Sequence, residues 1–119
     1  MKYTSYEELL EFGLEEADTF SIVWRNMAFD DSAFDLVEDL SPWLVSDFSS
    51  HSWPGTELLE EKARVKTYEV NSETIKILNC VSSVFDLQAP KYPEDLAFYR
   101  GKDVLFGSVA HEGMAWFTT

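Results

Sequence analysis

A chain of 119 residues, 45% of them apolar and 15% aromatic, has enough material for one self-supporting core, which excludes a disordered tail. Its 22 acidic against 9 basic side chains leave a net charge of −13, which repels nucleic acid and anionic membrane. The single cysteine, Cys80, rules out an internal disulfide, and no apolar run approaches the roughly 18 residues of a membrane span.

The start, MKYTSYEELLEF, lacks the basic and continuously apolar stretches of a signal peptide, so a soluble cytoplasmic protein is expected. Thr4 or Ser5 caps a first helix, and Ser5 with Glu8 fits capping-box spacing. Tyr6, Leu9, Leu10, Gly13, Leu14 and Ala17 fall on one face; Glu7, Glu8, Glu11, Glu15 and Glu16 cover the other. Gly13 weakens that helix. Phe20 to Met27 is rich in strand formers, with Ile22 and Trp24 facing one way and Val23 and Arg25 the other.

Asp30, Asp31 or Ser32 opens a second helix with Phe34, Val37, Leu40 and Leu44 as its apolar stripe. Pro42 breaks it, and Ser41 then caps a short further helix through Phe48. SSHSWPGT, Ser49 to Thr56, reads as a loop, and Ala63 to Val70 as a strand. Asn71 or Ser72 caps a third helix through about Phe85, with Ile75, Leu78, Val81 and Phe85 inward. Cys80 lies in its apolar run and reads as a small core residue, compatible with a reducing cytosol.

After the Pro90 to Pro93 loop come three runs rich in aromatic or β-branched residues: Asp95 to Arg100, Val104 to Ala110 and Met114 to Phe117. The short connections RGKD and HEG make them an antiparallel meander. The expected fold is a single α+β domain over residues 1–119, with about three helices on a mainly antiparallel sheet that ends in this C-terminal meander.

Charge is distributed unevenly. Residues 1–61 hold 15 of the 22 acids and only Lys2 and Arg25 as bases, so they carry the whole −13; residues 62–119, with seven of each sign, carry none. Helix caps and solvated faces explain a few of these acids. They do not explain the near absence of bases across half a chain, which points to a cationic partner.

Chemical motifs are few. There is no phosphate-binding or dinucleotide-binding glycine pattern, no nucleophile elbow, no cysteine cluster for zinc and no EF-hand spacing. Asp30-Asp31 and Glu60-Glu61 are too few and too unspaced to make a calcium site. His111-Glu112 could be half of a metal or general-base site, but HExxH spacing fails because position 115 is Ala. Glu112 and Gly113 read as a turn, and His51 as a plain loop residue beside Trp53. No enzyme activity, metal or cofactor is expected. Trp24 and Trp116 read as core; Trp43 and Trp53, in or beside the acidic half's loop, are either lids over the core or partner anchors.

A small acidic α+β chain with SWPGT at Ser52–Thr56 and PEDLAFYR at Pro93–Arg100, before an antiparallel finish, resembles the bacterial immunity proteins of polymorphic toxin and contact-dependent inhibition systems. The resemblance is one of type across the chain. It implies a bacterial protein that binds and neutralises a cognate toxin domain, often a basic nuclease, and carries over no individual binding residue. Within Pro93–Arg100, Glu94 and Asp95 read as anchors of the turn and Arg100 as a partner for a carboxylate. On charge, the expected contact region is Asp30, Asp31, Asp35, Glu38 and Asp39 with Trp43 and Trp53; Glu57, Glu60 and Glu61 form a second strip. The competing expectation is a non-catalytic small-ligand or sensory domain whose acidity serves solubility.

Overall fold

Strand β1 (Thr19–Trp24) lies inside the sheet, hydrogen-bonded to β5 (Ala63–Glu69) on one side and β6 (Glu94–Arg100) on the other. The structure, a computed structural model, describes residues 5–25 and 28–118; the far end of the expected first strand, Asn26 and Met27, and the candidate cap Thr4 lie outside them. With β2 (Leu44–Ser50), β7 (Asp103–Val109) and β8 (Met114–Phe117), these strands form a six-stranded sheet in the order β2-β5-β1-β6-β7-β8. Every pairing is antiparallel, and β6, β7 and β8 are the expected meander.

Alternation along β1 divides the molecule into two faces. Phe20 and Ile22 join the main core with residues of all three helices, while Val23 joins a second, smaller cluster with Trp53, Ala63 and Val65. The helices α1 (Tyr6–Glu16), α2 (Asp31–Leu40) and α3 (Ser72–Leu78) thus share one face of the sheet. The other is closed by a small hairpin of β3 (Ser52–Trp53) and β4 (Thr56–Glu57), within the segment expected to be a plain loop.

Each helix starts where its sequence dictates. Ser5 Oγ accepts from the Glu8 N–H at 3.1 Å, Asp30 Oδ1 from the Ser32 N–H at 3.0 Å, and Asn71 makes a reciprocal capping box with Thr74. Tyr6, Leu9, Leu10 and Gly13 of α1 are buried, and its five glutamates are exposed. Gly13 has a packing reason: a Cβ there would lie 2.5 Å from the Phe98 ring, so the helix touches the sheet only because the side chain is missing.

Four expectations change. Phe34 is 57% exposed rather than inward, because the buried stripe of α2 is Ala33, Leu36 and Leu40. Ser41–Trp43 is a single 3₁₀ turn, and the chain then extends as edge strand β2 instead of a further helix. That strand pairs with β5, and Asp47 on it bonds both Arg64 (2.9 Å) and Lys66 (2.8 Å), an attachment that local propensity does not display. Helix α3 stops at Leu78; Ser83 starts a separate 3₁₀ turn, Val84–Asp86, through its own capping box, so Val84 is the fully buried residue. Cys80, in the segment between them, is exposed rather than core.

Candidate functional site

The start of β6 holds an irregularity from which one candidate site is built. Between Ser21 and Val23 of β1 the partner strand advances from Ala97 to Glu94, which inserts one extra residue, and Asp95 adopts a left-handed φ of 59° there. This bulge buries two consecutive acidic side chains, Glu94 and Asp95, at 3% and 2% exposure. Asp95 is fully engaged: Oδ1 accepts from the Ala110 N–H at 3.0 Å and Oδ2 from Trp53 Nε1 at 2.8 Å. It anchors the end of β7 and the hairpin to the bulge. Arg100, at the other end of β6, pairs with Glu16 and donates from Nε to the Glu16 carbonyl at 2.9 Å.

Glu94 borders a cleft of about 640 Å³ together with Arg25, Glu61, Lys62, Gln88 and His111. One end of the sheet supplies these groups: Arg25 follows β1, Lys62 precedes β5, Glu94 begins β6 and His111 follows β7. The Glu94 Oε2 lies 3.7 Å from Arg25 Nη1 and 3.8 Å from His111 Nδ1. Arg25 in turn sits 5.7 Å from the centre of the Trp53 ring, in cation–π range. Burial raises the Glu94 carboxyl above its ordinary value, the neighbouring Asp95 adds to this, and Arg25 and His111 only partly oppose it.

His111 therefore edges a cleft, but the carboxylate it faces is Glu94. Glu112 is exposed in the 3₁₀ turn Ala110–Glu112, followed by Gly113 at φ 66°, which agrees with its reading as a turn residue. Donor atoms of Glu94, Asp95 and His111 lie within 4.8 Å of one another, yet the set suits a metal ion poorly. Both Asp95 oxygens already accept hydrogen bonds, and the Arg25 guanidinium stands where it would repel a cation.

The expected contact residues fall on two faces. Asp31, Asp35, Glu38 and Asp39 are exposed on α2 and Asp30 at its cap, and Trp43 is half-buried in the turn that follows. Glu57, Glu60 and Glu61 are exposed on and after the hairpin, on the opposite side of the sheet, so the two strips form no single surface. Trp53 is 7% exposed, packed against Val23 and Val65; its lid role displaces the expected anchor role, since the indole has no free face for a partner.

Sequence reasoning missed the apolar component of the α2 flank. Leu44 and Val45 of β2 are 44% and 60% exposed; Phe48, 50% exposed, lies opposite Val65 and so on the hairpin face. Among the described residues this strand has β5 as its one neighbour in the sheet, which leaves its outer backbone edge available for pairing. A slip in register between Leu44 and Ser46 extrudes Val45. Near α2, Trp24 stacks on Phe29 at 3.9 Å and meets Phe34 edge-on at 5.0 Å. No family model, curated protein or solved structure matches the chain.

Proposed function

We propose that this chain is an immunity-type inhibitor that binds a cognate basic, nuclease-like toxin domain on the flank formed by α2 and β2. The observation that carries the reading is the joining of two surface types in one stretch of chain. Four exposed acids on α2, with Asp30 at its cap, lead, with no basic residue between, into an edge strand that exposes Leu44 and Val45 beside them. A basic cleft that binds phosphates would be drawn to the carboxylates, whose complementary field raises the association rate. The apolar side chains and the open strand edge would then hold the complex. Asp47 engages both Arg64 and Lys66, so they offset only one of the five negative charges.

The test starts from gene order and ends in binding. The gene should lie directly downstream of one for a large secreted toxin, and the purified toxin domain should bind this chain and lose activity. A toxin domain from that neighbouring gene that neither binds nor is inhibited overturns the immunity reading.

A further inference from the structure

The cleft at the end of the sheet holds hydrogen-bonding capacity of both signs that the protein does not use. The Arg25 guanidinium has five N–H donors, yet its approach to Glu94, at 3.7 Å, exceeds hydrogen-bond length. The Glu94 side chain is 4% exposed, and its second charged neighbour, His111, stands at 3.8 Å. Among the described residues neither Arg25 nor Glu94 has a partner at hydrogen-bond length. Buried polar groups are ordinarily satisfied, because each one left without a bond is costly. Among the described residues no buried side-chain atom lacks a partner, so the Glu94 oxygens, without a bond at this length, reach the cleft and can be bonded by a group that enters it.

The chemistry of that partner follows from the lining. Arg25 and Lys62 oppose Glu61 and Glu94, so the cleft walls are formally balanced in a protein that carries −13. A simple anion would satisfy Arg25 and be repelled by Glu94; a simple cation, metal or amine, would meet the reverse conflict. A molecule with both charges answers both walls. We propose that the cleft binds a small zwitterion, a free amino acid being the simplest of the class, with its carboxylate on Arg25 and Lys62 and its ammonium on Glu94. The volume of about 640 Å³ lies within the range of small-molecule clefts, and leaves room for a side chain beside Gln88 and Leu58. This site is separate from the α2–β2 flank and does not rest on the immunity reading.

Calorimetric titration of the full chain with each of the common amino acids tests the proposal, followed by N-acetyl and C-amide forms of those that bind. At least one free amino acid should bind, and blocking either its ammonium or its carboxylate should weaken binding by about tenfold or more. Arg25→Gln and Glu94→Gln should each produce a loss of similar size. No binding tighter than about 10 mM by any amino acid overturns the proposal, as do blocked forms that bind equally well. Binding that survives Arg25→Gln also overturns it. Should either variant fail to fold, the blocked ligands on the unaltered chain still decide the matter.

Discussion

Trp53 and Asp95, 42 residues apart, are joined by a buried hydrogen bond of 2.8 Å from indole Nε1 to carboxylate Oδ2. The bond ties the hairpin that closes one face of the sheet to the bulge that opens β6. It also positions the Trp53 ring under Arg25, so the cleft wall depends on it. Asp95→Asn tolerates the left-handed backbone but turns one accepting oxygen into a donor, facing either Trp53 Nε1 or the Ala110 N–H. We expect a loss of about 1–3 kcal/mol in denaturant unfolding, with tryptophan emission shifted to the red. A loss below about half a kcal/mol would mean the hairpin is held by packing alone.

Gly13→Ala should destabilise the fold although Ala is the better helix former. The propensity gain is about 1 kcal/mol. Against it stands a Cβ placed 2.5 Å from Phe98, a fully buried ring wedged between Phe20 and Phe106. Overpacking of this kind costs about 1–3 kcal/mol. Thermal unfolding should show a net loss, whereas a gain would show that the Phe98 ring can yield.

Leu78→Ala removes a fully buried side chain from the last turn of α3 and should cost about 2–5 kcal/mol. The same truncation at Leu59, 96% exposed, is the control and should change stability little.

Glu94 makes stability depend on pH in a direction opposite to Asp47. Its folded value is raised, so the protonated form favours the fold; its contribution is fully present below the ordinary value of 4.5 and is lost as pH rises through the higher folded value. The bond from Arg64 holds Asp47 below its ordinary 3.8; burial opposes this, and Lys66 adds to the lowering. Its contribution is present above that value and is lost as pH falls further. Glu94→Gln should therefore gain on the unaltered chain as pH is raised from about 4.5 toward neutrality, read as the gap between two melting curves. A gap that moves the other way would show that Arg25 and His111 outweigh burial.

Neutralising Asp31, Asp35 and Glu38 together should slow association with a cognate basic domain and flatten its salt dependence, since exposed charges act over about 8 Å at physiological salt. Folding should be nearly unchanged, because exposed like charges contribute little to stability. The matched control is Glu73, Asp103 and Glu112, exposed acids of the balanced half. Val45→Asp on the edge strand should instead raise the dissociation rate. Equal effects from the two triple variants, read by stopped-flow kinetics at two salt concentrations, would sink the role of the acidic flank.

Local chemistry determined much of this protein from the chain alone. Ser5, Asp30 and Asn71 start the three helices because a short polar side chain can bond the first free N–H groups whatever lies beyond. The meander is equally local, since short connections pair each of its strands with the next. The charge asymmetry is a property of composition and needs no fold. Tertiary structure decided the rest. VSDFSS became an edge strand because β5 offered it a ladder and two cations for Asp47, neither visible within its own window. Trp53 was assigned to the interior by Asp95, 42 residues away. Arg25, Glu94 and His111 meet only because antiparallel strands end at the same edge of one sheet, and no spacing along a chain records which strand ends will be neighbours.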